Sequence, residues 1–283
     1  MDRSDASCAG ALFREMHRGP AVLVLANPWD VGTARLLANA GFRALHTTSA
    51  GLAFTMGRRD GDGAVSADET FRHVWEIVQA TPLPVTADLE NGFGDSPEAV
   101  ARTIRRAGDA GLAGGSIEDA TFRVDAPIYE RSLAVERIAA AVEAARSLAR
   151  PFVVTARADG FIRGQPDLDD VLRRLQAFEV AGADVLYAPG LPDEGALRLV
   201  CKSVKHPVNQ VIGVGGTAHL SLAQLQEIGV RRVSLGTSLV RCALAAALAS
   251  AREILDQGTF DFARGLPTVG AFNELIAPLP SAG

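Results

Sequence analysis

Short apolar runs alternate with longer stretches of helical periodicity along the whole chain, and this alternation limits the possible folds more than any other feature. Several of the short runs are almost continuously apolar, which is typical of parallel strands covered by helices on both faces. We predict strands at 21–27, 44–50, 84–90, 114–119, 152–157, 185–189, 208–212 and 232–237. Helices are predicted at 31–39, 67–80, 97–109, 133–148, 168–180, 194–203, 221–227 and 239–256.

Eight strand–helix units in 283 residues favour an α/β fold closed into a (β/α)8 TIM barrel, because an open doubly wound sheet usually has fewer strands. Glycine recurs before each even-numbered strand, where it can adopt the left-handed conformation that ends a helix. These glycines are Gly41, Gly111, Gly182 and Gly229. No linker divides the chain, so we predict a single domain over 1–283, with an extra N-terminal helix near 10–17 and an irregular tail after Gly258.

The composition argues against several classes of partner. The formal net charge is -5 and no block of Lys or Arg stands out, so nothing favours nucleic acid. Cys8, Cys201 and Cys242 are scattered and form no CxxC pair, which fits a reducing cytoplasm better than a disulfide framework. The first residues lack the apolar core of a secretory signal, and the apolar run near 242–250 is too short to span a bilayer. We therefore predict a cytoplasmic protein without a membrane partner.

Acidic residues follow the third and fourth predicted strands. In such barrels the active site lies at the carboxyl ends of the strands. Asp88 and Glu90 are two residues apart and so point to the same side of strand three, and Glu118 ends strand four. Converging carboxylates require a cation, and hard oxygen ligands suit Mg2+. The structural alternative is that Glu90 or Asp95 caps the helix that begins at 96–97.

Two other strand ends carry groups that could bind an anion. Arg157 follows an apolar run, where it could form a salt bridge to a carboxylate or hold the carboxylate of a substrate. The segment Thr48, Ser49 and Ala50 could bind an anion through its backbone N–H groups and hydroxyls. His46 is the histidine expected nearest this site, although core packing is the simpler explanation for it.

Three of these strand ends resemble the motifs of a known family. Residues 88–94, DLENGFG, resemble the D-x-D-x-G-[YF]-G signature of the isocitrate lyase and phosphoenolpyruvate mutase superfamily. Residues 115–119, GSIED, are similar to its I-E-D motif, and residues 155–159, TARAD, to its A-R-[TV]-[DE] motif. The resemblance extends from about residue 13 to residue 260.

The resemblance implies a (β/α)8 barrel, often with the last helix exchanged between the subunits of a dimer of dimers. It implies Mg2+ bound directly by Asp88, with Asp60, Glu90 and Glu118 holding the waters on the metal. The carboxylate end of the substrate would be held by Thr48, Ser49, Ala50 and Arg157. Substrates of the family are 2-oxo acids or their hydroxy-acid adducts, which react through a metal-stabilised enolate.

The chain departs from the family pattern in the segment that selects the reaction. The family's isocitrate and methylisocitrate lyases carry K-[KR]-C-G-H after strand four, with Cys as the general acid, whereas residues 120–125 here are ATFRVD. The Lys- and Asn-containing gate of the mutases is also missing, since neither residue occurs between Glu118 and Arg150. Glu90 stands where the family most often has Asp. Candidate proton donors are therefore the loop 121–129 and Tyr187.

The sequence predicts a Mg2+-dependent lyase or decarboxylase that cleaves a C–C bond beside a carboxylate, with Glu118 and Arg157 as catalytic residues. A P–C bond enzyme of the phosphonopyruvate hydrolase or phosphoenolpyruvate mutase type is the first alternative. A non-catalytic carboxylate-binding barrel is the second. We also predict a homodimer or homotetramer, and a loop at 120–130 that becomes ordered over the site when ligand binds.

Overall fold

Eight parallel strands surround a common axis in the computed structural model, which describes residues 3–217 and 219–279, with the backbone alone for residues 3–8. The strands are β1 Leu23–Leu25, β2 Leu45–His46, β3 Val85–Asp88, β4 Gly114–Glu118, β5 Val153–Arg157, β6 Val185–Tyr187, β7 Val208–Val211 and β8 Arg232–Ser234. Each pairs with its sequence neighbour from β2 to β8, and β8 pairs with β1. A parallel bridge between Ala26 and Leu45 joins β1 to β2, so the predicted (β/α)8 barrel is confirmed.

Helices alternate with the strands and cover the outside of the barrel. They are α1 Arg3–Met16, α2 Val31–Asn39, α3 Ser49–Thr55, α4 Ala67–Ala80, α5 Pro97–Asp109, α6 Arg131–Arg146, α7 Leu168–Val180, α8 Glu194–Ser203, α9 Leu222–Ile228, α10 Ser238–Gln257 and α11 Val269–Leu275. A 3-10 helix, Gly160–Arg163, follows β5, and another, Asp261–Gly265, follows α10. Five of the predicted helices, α2, α4, α5, α7 and α8, begin and end at the predicted residues.

Two predictions of local structure are wrong. The strand predicted at 44–50 ends at His46, and helix α3 begins at Ser49, because the Thr48 hydroxyl accepts a hydrogen bond from the Gly51 N–H at 3.2 Å and caps the helix. The tail predicted to be irregular contains α11, which is capped in the same way by Thr268. The Thr268 hydroxyl accepts from the Ala271 N–H at 3.1 Å.

The glycines predicted to end helices do adopt the left-handed conformation. Gly41, Gly111, Gly182 and Gly229 have φ angles of 98°, 93°, 97° and 113°. Each stands between a helix and an even-numbered strand, where a residue with a Cβ would be strained. These turns return the chain to the barrel and bring the next strand into register.

The N-terminal helix, which the sequence predicts without placing it, closes the floor of the barrel. Phe13 on α1 is fully buried and packs with Leu23 and Leu25 of β1, Val153 of β5 and Val185 of β6. Leu23, Val153 and Val185 are the first residues of their strands, so the floor is apolar and closed. The polar strand ends at the opposite mouth are therefore the part of the barrel open to ligands.

His17, at the end of the floor helix, gives stability a defined pH dependence. Burial and the nearby Arg232 lower the pKa of His17 from 6.5 to about 4, although its Nδ1 donates to the Phe13 carbonyl at 2.8 Å. Its folded pKa lies below its unfolded value, so its contribution to stability is present above pH 6.5 and lost as the pH falls towards 4.

The wild type should lose about 3 kcal/mol of unfolding free energy through His17 as the pH falls from 6.5 to 4. We expect the His17→Gln variant not to show this loss, because glutamine does not titrate. Urea unfolding at several pH values measures this loss. The exposed His219→Gln variant is the control, and an unchanged slope in His17→Gln would contradict the assignment.

Helix α10 makes little contact with the barrel that precedes it. Among its 20 residues only Val240 is buried, and Leu244, Leu248 and Leu255 are 52%, 53% and 83% exposed. The chain then returns to the barrel, where the Asn39 side-chain amide donates to the Leu275 carbonyl at 2.8 Å. The described part of the chain thus presents a long helix with uncovered leucines.

None of the described helices is long and apolar enough to cross a membrane.

Candidate active site

A pocket of about 320 Å³ opens at the carboxyl ends of the strands. All the residues that the sequence predicts to bind metal or the substrate carboxylate line it: Thr48, Ser49, Ala50, Asp60, Asp88, Glu90, Glu118 and Arg157. They come from the ends of β2 to β5 and from the segment after α3. The fold therefore brings together residues that lie far apart in the sequence, from Thr48 to Arg157, while their chemical roles stay predictions.

Asp88 ends β3 and lies at the centre of the acidic group. Its Oδ2 accepts from the Ser49 hydroxyl at 2.9 Å and lies 3.5 Å from Arg157 Nη1, while Oδ1 accepts from the Glu90 N–H at 3.2 Å. Burial opposes its ionisation, but Arg157, the neighbouring His46 and these hydrogen bonds outweigh burial and lower the pKa of Asp88. Asp88 is thus held as a carboxylate, which is the form that binds a metal.

Arg157 forms salt bridges with several carboxylates, as the structural interpretation of this residue predicts. Its Nη1 lies 3.0 Å from Glu118 Oε2, and its Nη2 donates to Asp159 Oδ2 at 2.9 Å. Arg163, on the 3-10 helix after β5, donates from Nη2 to Glu118 Oε1 at 3.0 Å. With side chains 13% and 4% exposed, Arg157 and Glu118 interact where little water screens them.

Carboxylates outnumber arginines around the pocket, four to two. Burial, together with Asp88 and Asp60, raises the pKa of Glu90 to about 7. Burial is also the largest cause of the raised pKa values of Asp60 and Glu118. The raised pKa values show that these carboxyl groups oppose each other's ionisation in the buried pocket, and a divalent cation bound there would favour their ionised forms.

The acidic side chains of the pocket supply the oxygen ligands that hard divalent cations prefer. Among residues 3–217 and 219–279, no three His, Cys, Asp or Glu side chains stand close enough to enclose an ion. Mg2+ is commonly bound through one or two carboxylates and keeps several waters. Asp88 could hold the ion directly, and Asp60, Glu90 and Glu118 line the space in which its waters would lie.

The loop that carries Glu90 is held in place from the outer layer of the barrel. Arg137 on α6 donates to the backbone carbonyls of Asn91, Gly94 and Asp95, with Nη1 2.6 Å from the Gly94 oxygen. Glu90 itself has a φ of 50°, in the left-handed region that a residue with a Cβ rarely adopts. Such strained backbone persists where surrounding contacts impose it, and it is frequent at functional sites.

The alternative role for the acidic residues, capping helix α5, is wrong. Ser96 caps α5 and its hydroxyl accepts from the Ala99 N–H at 3.3 Å. Asp95 instead accepts from the Tyr129 hydroxyl at 2.6 Å and from Arg123 Nη1 at 2.9 Å. Glu90 remains in the pocket and is free of a capping role.

The predicted anion-binding segment, residues 48–50, is the start of helix α3 and not the end of a strand. Thr48 is the N-cap, and Ser49 and Ala50 form the first turn of the helix and line the pocket. The first N–H groups of a helix have no partner within the helix. The segment therefore offers these donors beside Asp88, together with the Ser49 hydroxyl.

Of the two tyrosines among the candidate proton donors, one lines the pocket and the other does not. Tyr187 at the end of β6 lines the pocket, with its ring centroid 5.3 Å from Arg157 Cζ, and burial raises the pKa of its hydroxyl. Tyr129 does not line the pocket, because its hydroxyl donates to Asp95. Neither Cys201 nor Cys242 is a lining residue, and the side chain of Cys8 lies outside the described part of the chain. Tyr187 is therefore the candidate that the geometry favours.

The loop 120–130 is a narrow hairpin rather than an open connection. Ala120 and Ile128 form an antiparallel bridge, and the Thr121 N–H donates to the Pro127 carbonyl at 3.0 Å. Its closure over bound ligand stays a prediction.

If the loop 120–130 closes over ligand, its amide hydrogens should exchange more slowly when Mg2+ and oxalate are added together. Equal exchange with and without these ligands, despite proven binding, would contradict the predicted closure.

Sequence reasoning missed several pocket residues, of which Phe122 is the most prominent. Phe122 lies on this hairpin with a φ of 60° and lines the pocket. It falls within residues 120–125, where the sequence departs from the family pattern, so its position was a usable signal. Ile162, Arg163, Pro189 and Val214 were also missed, because they follow the strand ends by several residues.

Comparisons with known proteins agree with the barrel fold. The family model described as phosphoenolpyruvate phosphomutase matches residues 13–255. A Burkholderia cenocepacia J2315 protein classed provisionally as a lyase/mutase has 50% sequence identity and a TM-score of 0.93, with 97% of each chain covered. The structure of 2,3-dimethylmalate lyase gives 27% identity and a TM-score of 0.84, with 94% of each chain covered. In sequence, 2-methylisocitrate lyase of Halalkalibacterium halodurans is 28% identical over 87% of this chain and 82% of its own length.

Proposed function

Because the chain belongs to the phosphoenolpyruvate phosphomutase family, within the isocitrate lyase and phosphoenolpyruvate mutase superfamily, we propose that it is a Mg2+-dependent carbon–carbon lyase. Its substrate is a small 2-oxo or 2-hydroxy acid, cleaved beside a carboxylate. The observation that carries this proposal is the pocket itself, in which Asp60, Asp88, Glu90 and Glu118 surround Arg157. Relatives named as lyases favour C–C over P–C cleavage.

The residues of the site divide into a metal side and an anion side. Asp88 would hold Mg2+ directly, and Asp60, Glu90 and Glu118 would hold it through water. When bound, Mg2+ supplies a Lewis acid that polarises the oxygen on C2 of the substrate. Ser49, Ala50 and Arg157 bind the carboxylate next to that carbon.

Arg157 also stabilises charge as the bond breaks. Its guanidinium is fixed by Glu118 and Asp159, so it needs no rearrangement when negative charge develops beside it. For a 2-hydroxy acid, the hydroxyl proton leaves to Glu118 and C2 becomes a carbonyl. The electron pair of the C2–C3 bond passes to C3, which takes a proton from Tyr187. Solvent then restores both residues.

A substrate screen tests this function. Oxaloacetate, 2-alkylmalates, methylisocitrate and phosphonopyruvate would be incubated with protein and Mg2+, and release of pyruvate or another oxo acid followed. Mg2+-dependent turnover of a C–C substrate that EDTA abolishes is the expected result. Turnover of phosphonopyruvate alone would establish the P–C alternative. Binding of oxalate without turnover of any substrate would establish a non-catalytic barrel.

Helix α10 supports the proposal of a homo-oligomer. Its leucines 244 and 248 are half exposed on a helix that contacts little of its own barrel, so a second subunit is the partner that would cover them. We expect the wild type to be a dimer or tetramer and Leu244→Glu/Leu248→Glu to be monomeric in light scattering coupled to gel filtration. Leu222→Glu, half exposed on α9, is the matched control. A monomeric wild type, or a double variant that still assembles, would contradict the proposal.

A further inference from the structure

Five apolar side chains also line the pocket, together with the acidic residues. They are Phe122, Ile162, Pro189, Val211 and Val214. They follow or end four consecutive strands, β4 to β7, so they form an arc around the mouth, and Phe122 and Ile162 lie farther along the chain than the strand ends Glu118 and Arg157. We call these five residues the apolar wall.

Close backbone contacts make the apolar wall continuous. A Cβ on Gly190, next to Pro189, would lie 2.6 Å from the Ile162 side chain. A Cβ on Gly215, next to Val214, would lie 3.0 Å from the Gly190 Cα. The loops after β5, β6 and β7 therefore touch one another, and glycine is required where they meet.

Phe122 joins the apolar wall through Arg163. The guanidinium of Arg163 lies over the Phe122 ring, with Cζ 5.1 Å from the ring centroid, and Arg163 directly follows Ile162. The hairpin bridge between Ala120 and Ile128 fixes the loop on which Phe122 sits. Phe122 is thus a fixed aromatic surface at one end of the apolar wall.

No lining cation is left over for a distant carboxylate of the substrate. Of the lining residues, Arg157 and Arg163 are the cationic side chains. In the proposed function Arg157 binds the carboxylate next to C2, and Arg163 is paired with Glu118 at 3.0 Å and with Asp159 at 3.6 Å. A carboxylate placed against the apolar wall would lose its hydration and gain no counterion, which is strongly unfavourable.

We propose that the apolar wall binds an alkyl or aryl substituent of the substrate, so that the chain acts on acids whose far end is apolar and not on tricarboxylates. This inference rests on the proposed function, because it assumes that the metal side and the anion side of the pocket bind the 2-oxo or 2-hydroxy acid end. It assigns Phe122 and Ile162 as specificity-determining residues of that reaction.

Two ligands of equal shape test the apolar wall. 5-Methyl-2-oxohexanoate and 2-oxoglutarate share the 2-oxo acid end and the branching of their non-hydrogen atoms, and they differ in an isopropyl against a carboxylate group. With Mg2+-loaded wild-type protein, calorimetry should show the isopropyl ligand binding at least about tenfold more tightly. Equal binding, or tighter binding of 2-oxoglutarate, would overturn the inference. So would binding of oxalate with neither longer ligand measurable, because the apolar wall would then accept no chain.

Oxalate, which lacks any substituent, distinguishes this failure from failure of the proposed function. Oxalate binding that depends on Mg2+, together with the wrong preference between the two longer ligands, overturns only the inference about the apolar wall. Absence of Mg2+-dependent oxalate binding overturns the proposed function and this inference with it.

Substitutions in the apolar wall test which residues cause the preference for the isopropyl ligand over 2-oxoglutarate. Phe122→Arg should shift the ratio of the two affinities towards 2-oxoglutarate by at least about tenfold, because it supplies the missing counterion. Val124→Ala, fully exposed on the same hairpin, should leave the ratio unchanged. Ile162→Lys is the second variant and should shift the ratio in the same direction if Phe122→Arg does not fold. A ratio that moves in neither folded variant would remove Phe122 and Ile162 from substrate selection.

Discussion

Asp88→Asn should abolish Mg2+ binding and lower kcat by at least about 1,000-fold while leaving the barrel folded. The variant keeps the shape of the side chain and can still accept from the Ser49 hydroxyl, but it loses the charge that binds the metal. Asp88 lies at the mouth of the barrel, where residues contribute to the site more than to the core. Calorimetry with Mg2+ and steady-state kinetics measure the two effects.

The matched control for Asp88 is Asp62→Asn, an exposed carboxylate two positions after Asp60 that does not line the pocket. It should bind Mg2+ and turn over like the wild type. Unchanged Mg2+ affinity in a folded Asp88→Asn variant would remove Asp88 from the metal site and leave Glu118 as the direct ligand.

Arg157→Met should lose both stability and activity. Removing the guanidinium leaves Asp88, Glu118 and Asp159 as buried carboxylates without their common partner, which costs about 3–5 kcal/mol of unfolding free energy. It should also lower kcat by about 100- to 1,000-fold, because the fixed charge beside the breaking bond is lost. Arg157→Lys keeps the charge but not the forked donors, so it should recover stability more than activity.

The measurement for Arg157 is urea unfolding with and without Mg2+, combined with kinetics. Because Mg2+ neutralises the same carboxylates, it should stabilise Arg157→Met more than it stabilises the wild type. Equal stabilisation by Mg2+ in both proteins would show that metal and arginine do not share these carboxylates.

The barrel could be predicted because its information is local and periodic. Apolar runs such as 152–157 and glycines such as Gly182 mark strands and helix ends without knowledge of any distant contact. The strand ends could be predicted for the same reason, and they contain Asp88, Glu118 and Arg157. Family motifs then placed Asp60, which no strand pattern identifies.

Three features could not be predicted: the cap of α5, the start of α3 and the entry of Phe122 into the pocket. Each depends on competition between nearby residues or on contacts between distant ones. Ser96, rather than Asp95, caps α5, because Tyr129 and Arg123 engage the Asp95 carboxylate from a loop about 30 residues later. Thr48 begins a helix where the apolar pattern alone continues a strand. Phe122 enters the pocket because the hairpin closes between Ala120 and Ile128, and no periodicity reveals that closure.

The hairpin bridge and the Tyr129–Asp95 hydrogen bond define a unit for protein engineering. Tyr129 ties the end of the hairpin to the loop that follows Asp88, and Arg137 holds that loop from outside the barrel. A donor segment spliced between Ala120 and Ile128 would therefore replace Phe122 and its neighbours while the acidic residues keep their support. New substrate scope in this scaffold is best sought by exchanging those seven intervening positions (121–127), with Tyr129 and Arg137 retained.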